Sequence, residues 1–542
     1  MTTLLPESSV PQSTGARAAS PQLGRVAAAA AGVVAAGFAL AVTEIVSVVG
    51  SRHGPSVVST VASRMVDLTA GALKNLAVSL FGTNDKAALL TGIVVISLIV
   101  GAALGVASIR RKWVGSLGFV GFAVVGVLCA RSDPQASNLP LAIASLLGAA
   151  AGVGTLRFLS NVGSHPPQDQ DHRGDSIRRS PAQDPRVKTP DRRAFLLASG
   201  TASAAAVVLA VTARRWRGVS VASRSRAATL LPDAKETVGA PATQPFAVDG
   251  VSPFITPNAD FYRIDTAIFV PQVNVSTWKL TIDGMVDRPV SFTYTDLLGM
   301  DLIEQPITIS CVSNEVGGDL VGNARWRGVP LNVLLDRAGV KPGATQIVGR
   351  SVDGFTVGFP TEKALDGRVA MVAVGMNGEP LPIDHGYPAR LIVAGLYGYV
   401  SATKWLKQIQ LTRLEDFDAY WIPRGWAKQA PIKTQSRIDT PRGGQKLVAG
   451  PIAIAGVAWA PTRGITRVEV QVDNEPWQAA QLGETASANT WVQWLYRWDA
   501  PAGRHHLRVR ATDGTGQTQT AQVQRPEPDG ATGYHTRTVT VA

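Results

Sequence analysis

The chain has 542 residues, 45% of them hydrophobic, with 52 Lys and Arg against 40 Asp and Glu, a net charge of +12. That length allows several domains, and two cysteines in all exclude a disulfide-stapled scaffold. Much of the basic excess sits in one linker and at the ends of apolar runs. Membrane topology and anionic lipid account for it there, which argues against nucleic acid as a partner.

Residues 1–25 read as a cytoplasmic tail, and residues 26–160 as a membrane region. A spanning helix needs about 20 apolar residues. "VAAAAAGVVAAGFALAVTEIVSVVG" (26–50), "AALLTGIVVISLIVGAALGVASI" (87–109), "WVGSLGFVGFAVVGVLCA" (113–130) and "LPLAIASLLGAAAGVGTLRFL" (139–159) supply four such runs. Between them, residues 57–80 carry Arg64, Asp67, Lys74 and Asn75 near helical spacing, so this segment is expected to lie on the membrane surface. Lys and Arg in short loops mark the cytoplasmic side. "RRK" (110–112) and the basic linker 161–193 are separated by two spans, so the two assignments agree.

A fifth apolar run follows Arg192-Arg193 in "TPDRRAFLLASGTASAAAVVLAVTA". This resembles a twin-arginine export signal, here one that stays as a membrane anchor over 194–213 because no small-residue cleavage site stands out. The other reading is an ordinary span with positive-inside flanks. Either way, residues after about 213 are expected outside the cytoplasm.

Residues 214–245 read as a polar tether. From 246 to 428, strand-like runs such as "QPITISCV", "GFTVGFP" and "RLIVAGLYG" alternate with Gly and Pro, and short helices such as "PLNVLLDRAGV" interrupt them. The pattern predicts an α+β, mostly β domain. Residues 429–542 hold evenly spaced alternating strands, the pattern of an immunoglobulin-like sandwich, without the cysteine pair of antibody domains.

Cys311 is alone in the exported half. Read by itself it is a buried structural thiol, a nucleophile that would need a base such as His385, or a ligand to a soft metal. Zinc would call for further Cys or His close by, and none is present.

Three stretches change that balance: "FYRIDTA" (261–267), "ISCVSNEVGGDLVGNARWRGVPL" (309–331) and "MNGEPLPIDHGYPARLIVAGLYGYVSATKWL" (376–406). Together they resemble the molybdopterin domain of the sulfite oxidase family, in order from about Phe246 to Trp426. The final domain resembles that family's dimerisation domain, which allows a homodimer. The resemblance implies a molybdenum-molybdopterin cofactor with Cys311 as the protein thiolate on the metal. It implies pterin contacts from Tyr262, Arg263, Asp265, His385, Arg390, Ser401, Ala402, Thr403 and Lys404, with Asp353 in "SVDGF" as a further contact. Asp265 stands where sulfite oxidases carry His. Arginines and lysines suit such an anionic, hydrogen-bonding ligand.

The departures from the family pattern bear on substrate. Where sulfite oxidases have two arginines after the cysteine, this chain has Glu315 and Val316, and Trp426 falls where an active-site tyrosine is expected. Of the anion-binding arginines only Arg263 is clearly retained, as a catalytic-site residue. An acid facing the pocket would disfavour a doubly charged anion. A sulfoxide or N-oxide, free or protein-bound, fits better than sulfite. His53 and His165 sit at or beyond helix ends, so the spans lack a histidine pair for a haem. A separate electron-transfer partner or a quinone is implied. Glu44 in the first span is a polar hook for such a partner or lines the bundle interior. The leading reading is therefore a membrane-anchored oxygen-atom-transfer oxidoreductase. The competing ones are a cofactor-retaining binding or assembly module, which the lost arginines would fit, and a Cys-His hydrolase.

Overall fold

The computed structural model describes residues 24–69, 85–162, 192–216, 220–241 and 246–542. The amino-terminal tail, residues 70–84, which include the end of the 57–80 surface segment, and most of the basic linker therefore lie outside the described residues.

Helices α1 (Arg25–Gly50), α3 (Asp85–Arg110), α4 (Lys112–Ser132), α5 (Asn138–Val162) and α6 (Arg192–Trp216) contain five segments long and apolar enough to cross a membrane. Large apolar side chains such as Ile96, Ile99, Leu117, Leu128 and Leu146 point outward, as a lipid-facing surface requires. Between helices the contact is made by small residues. A Cβ on Gly32 would fall 2.0 Å from the Gly101 carbonyl oxygen, so glycine there is what lets α1 lie against α3. Helix α2 (Val57–Leu68) starts at a Ser56–Ser59 capping box and buries Val57, Ser59, Thr60 and Ala62 while Arg64 and Asp67 stay exposed. Its 12 residues form an amphipathic element too short to span.

The remainder is built on four sheets. The first has the order β1 (Glu236–Thr237), β4 (Ile303–Ser310), β5 (Val321–Pro330), β8 (Ala370–Met376), β10 (Arg390–Val393), with β9 (Glu379–Pro380) paired to β8. The second runs β3 (Val290–Thr293), β2 (Lys279–Gly284), β11 (Leu406–Thr412), β6 (Gln346–Ser351), β7 (Thr356–Pro360). Leu280, Ile282 and Ile409 from the second sheet share one buried core with Ile307, Trp326 and Val372 from the first. β8 is buried at every position rather than on alternate ones, so it is an interior strand covered on both faces.

Beyond residue 429 the chain forms two further sheets. One has the order β12 (Gln435–Thr440), β14 (Gly450–Trp459), β18 (Val492–Ala500), β17 (Gln481–Leu482). The other has β13 (Lys446–Leu447), β20 (His535–Val541), β19 (Gly503–Asp513), β15 (Ile465–Val472), β16 (Gln478–Ala479). Ile454 and Trp494 of one sheet and Val468, Leu507 and Val509 of the other bury a common core, so the pair is a β-sandwich. It seats on the preceding sheets through Trp491, whose indole N–H donates to the Phe254 carbonyl at 2.8 Å, and through Arg437, which donates to the Gly318 carbonyl at 2.9 Å.

The segment expected as a polar tether is instead partly built into the fold. Helix α7 (Val221–Ala228) places Arg226 to donate to the Pro380 and Leu381 carbonyls and to pair with Glu379, and β1 adds to the edge of β4 in parallel. Backbone pairing and one arginine hold a stretch whose composition alone reads as linker.

Candidate active site

Two of the resembling stretches converge at strand ends, and the loop 261–267 lines the same cavity beside them. Cys311 immediately follows β4, and its backbone N–H donates to the Leu320 carbonyl at 2.9 Å across the return to β5. The loop between is tied internally, with the Leu320 N–H donating to the Asn314 side chain at 2.8 Å. His385 ends a short turn before β10, and Arg390 opens β10. Lys404 lies two residues before β11. Gly386, at φ +111° and with a Cβ position only 3.0 Å from the Lys404 backbone, lets the His385 turn lie against the Lys404 segment. Trp405 pins the same junction by donating its indole N–H to the Ile383 carbonyl at 2.8 Å.

These elements line a cavity that opens to solvent. Tyr262, Asp265, Cys311, Asp353, His385, Arg390, Ala402, Lys404 and Trp426 all line it. The structure adds a wall that the sequence did not announce: Phe355, Tyr399 and Trp421 join Trp426, with Tyr399 and Trp426 rings 5.7 Å apart. Their positions in sequence carry no periodic signal, since they come from separate loops and a four-residue helix.

Four expected residues do not face this cavity. Arg263 turns away into an adjoining depression, where it pairs with Asp384 at 2.6 Å and lies 3.7 Å from Asp265. Glu315 is exposed on the loop after Cys311, so the like-charge argument built on it does not apply to the cavity. Ser401 directs its hydroxyl back to the Leu396 and Tyr397 carbonyls. Thr403 is fully buried behind the wall, its hydroxyl near Gly349 and without a hydrogen-bond partner.

The electrostatics suit an anionic ligand. Arg390 is 4% exposed, and no described carboxylate pairs with it. One Nη donates to the His385 carbonyl at 3.0 Å, the guanidinium lies over the Trp326 ring, and Nε has no hydrogen-bond partner. Burial lowers its pKa to about 10. A buried cation left in this state is costly unless a ligand completes it. Lys404 is also drawn down, to about 8, by burial that outweighs the attraction of Asp265 2.5 Å away. For Asp265 burial acts to raise the pKa, but Lys404 and then Lys86 overcome it and hold the carboxylate well below its usual range. His385 falls to about 4 through burial and then the Arg390 charge, so its ring is neutral, with Nε2 3.1 Å from the Asn258 carbonyl. Burial raises Tyr262 and Cys311, the thiol against the opposing N–H and hydroxyl of Ser313.

A thiol at the floor, a buried guanidinium with an orphaned donor and a buried ammonium fit a cofactor that combines a metal with an anionic, hydrogen-bonding organic part. Among the described residues no group of three or more His, Cys, Asp or Glu could hold a metal ion. A metal held at Cys311 would be completed by the organic part of such a cofactor, and it would keep the thiol deprotonated.

Comparison with known proteins agrees with this geometry. Residues 267–421 match the oxidoreductase molybdopterin binding domain. The chain is 28% identical over 303 residues to mitochondrial sulfite oxidase of Macaca fascicularis, covering 47% of this chain and 55% of that protein. It is 28% identical over 333 residues to the NAD(P)H nitrate reductase of Hordeum vulgare, covering 49% and 37%. It is 31% identical over 153 residues to the uncharacterized oxidoreductase YuiH of Bacillus subtilis, covering 28% of this chain and 74% of YuiH. The chain thus spans about half the length of the sulfite oxidases it matches. The matched domain, the cavity and its thiol together place this chain in the sulfite oxidase family of molybdopterin oxidoreductases, with molybdenum-molybdopterin as its cofactor.

Proposed function

We propose that the protein is a membrane-anchored, extracytoplasmic oxidoreductase that reduces a neutral oxidised substrate of the sulfoxide or N-oxide type. The observation that carries the substrate class is the aromatic wall of Phe355, Tyr399, Trp421 and Trp426, combined with cations that lie outside the cavity, as Arg263 does, or are assigned to the cofactor, as Arg390 and Lys404 are. Arg263 is engaged by Asp384, Lys404 by Asp265, and Arg390 sits deep against Trp326. The relatives' names carry sulfite and nitrate, both oxyanions, but this wall offers flat apolar surfaces better suited to an uncharged group.

The molybdenum cofactor supplies two-electron oxygen-atom-transfer chemistry when bound. The chain supplies the setting. Cys311 holds the metal as its protein thiolate. Arg390, His385 and Lys404, with backbone beside Ala402, hold the organic part, and Asp353 and Tyr262 complete that wall. The aromatic residues orient substrate and exclude water. Reducing a sulfoxide consumes two electrons and two protons and releases the sulfide and water; the electrons come from a separate partner or a quinone.

The membrane placement is supported by helix direction. Gly50 at the end of α1 abuts Pro140 at the start of α5, and the α4–α5 turn and the start of α3 both touch the cofactor domain. "RRK" (110–112) lies at the opposite ends, consistent with a cytoplasmic face there. Arg192-Arg193 open α6, the position a twin-arginine pair takes before the apolar run of an export signal. The carboxy-terminal sandwich is read as immunoglobulin-like and as the family's dimerisation-type domain.

The test is turnover by the purified full-length holoenzyme. Reduced-dye oxidation by aryl sulfoxides and trimethylamine N-oxide is expected to exceed sulfite-dependent acceptor reduction. The reverse ranking would reject the substrate class.

A further inference from the structure

Asp265 is where the membrane helices meet the cofactor cavity. Its carboxylate is 5% exposed and lines the cavity. One oxygen accepts from Lys404 at 2.5 Å. The other accepts from Lys86, at the start of α3, and the same ammonium donates to the Ala267 carbonyl at 2.9 Å. Further membrane-side contacts surround the same rim. Gln135 donates to the Phe269 carbonyl at 3.3 Å, Tyr420 donates its hydroxyl to Asp67 at 3.2 Å, and Pro134 packs at Gly354. Gly354 and Tyr420 are neighbours in sequence of the cavity-lining Asp353, Phe355 and Trp421, and Phe269 lies three residues beyond the cavity-lining Thr266.

With Lys404 as its only cation in direct contact, Asp265 could release that ammonium to an anionic ligand only by becoming a buried carboxylate with no cation nearer than Arg263 at 3.7 Å, a costly state. A second cation on the other oxygen removes that obstacle, because Asp265 stays paired when Lys404 turns toward the ligand. We propose that Lys86 is a positioning residue of the cofactor site: held against Asp265 from the membrane region, it frees Lys404 for the anionic cofactor. Cofactor retention is then coupled to seating of α3 on the domain, and the membrane region is part of the active-site architecture as well as an anchor. This rests on the cofactor reading above.

The experiment compares full-length wild type, Lys86→Met, Lys86→Arg, Asp265→Asn and the Lys86→Met/Asp265→Asn double variant, each produced at limiting cofactor supply. Molybdenum and pterin per chain are measured, with amide hydrogen exchange over 261–268. Lys86→Met is expected to weaken cofactor retention about tenfold, as loss of a charge-assisted contact does, with faster exchange at 264–267. Lys86→Arg restores both, and Lys86→Met adds nothing once Asp265 is Asn. Wild-type occupancy in Lys86→Met, or an equal loss in the Asp265→Asn background, would overturn the proposal; the second result would make Lys86 a docking contact only. A wild-type chain without molybdenum or pterin at full supply would remove the cofactor reading itself, an outcome distinct from a loss confined to the Lys86 variants.

Discussion

Arg390→Met separates a ligand-completing cation from a structural one, because the two roles predict opposite changes in stability. The guanidinium is 4% exposed, lacks a described carboxylate partner and has its pKa lowered by burial to about 10. That fall corresponds to roughly 3 kcal/mol of unfavourable burial at any pH below about 10, where the folded state must carry a charge it holds poorly. Methionine keeps an apolar stem over Trp326. It loses the cation–ring contact, about 1 kcal/mol, and the hydrogen bond to His385, about 1 kcal/mol. The balance leaves the cofactor-free variant about 1 kcal/mol more stable than wild type, a rise of about 2–4 °C in its melting temperature. With cofactor the sign reverses. Each hydrogen bond to a charged group contributes about 1.5–3 kcal/mol, so retention falls roughly 10- to 150-fold. The assay is thermal unfolding of cofactor-free protein paired with molybdenum content of cofactor-supplied protein. A buried arginine in a structural ion pair would instead cost about 3–5 kcal/mol on removal. A clear drop in cofactor-free stability with normal molybdenum content would therefore refute the assignment of Arg390 as a cofactor ligand.

Cys311→Ser is expected to leave the cofactor-free fold intact and to remove one sulfur from the metal's coordination shell, read by X-ray absorption; an unchanged sulfur count would exclude Cys311 as ligand. Acid should destabilise the cofactor-free chain between about pH 6.5 and pH 4. His385 and His535 both have folded pKa values lowered to about 4, chiefly by burial, so the unfolded chain binds more protons through that window and stability falls with pH. For His535 the Arg537 and Arg437 charges add to burial, and the Ile438 N–H that donates to its Nδ1 at 2.9 Å would lose its acceptor on protonation. Replacing His535 with Gln should flatten part of the urea-midpoint profile over the same range, and an unaltered slope would contradict this account. Glu315→Gln should leave turnover within about twofold because exposed charges contribute little. Trp426→Ala should raise KM for aryl sulfoxides about tenfold or more through lost ring contact. A large Glu315 effect with a silent Trp426 would invert the proposed pocket.

The apolar runs, the lone thiol of residues 214–542 and the long "DHGYPAR" and "SATKW" motifs were all visible in the bare sequence, because each is local. A span is a matter of composition over 20 residues, and a cofactor motif is a matter of consecutive side chains on one strand end. Orientation was not local. Arg263 and Glu315 sit inside or beside the motifs, yet one turns to Asp384 and the other to solvent, since the rotation of each loop follows from partners far along the chain. The aromatic wall needed Phe355, Tyr399, Trp421 and Trp426 to be brought together from separate segments. Lys86 reads as the charged flank of a membrane helix; it becomes part of the site only because folding sets the start of α3 against Asp265. Chemistry that depends on one strand end was legible in advance, whereas the shape and charge of the cavity came from contacts between distant segments that only the packed structure creates.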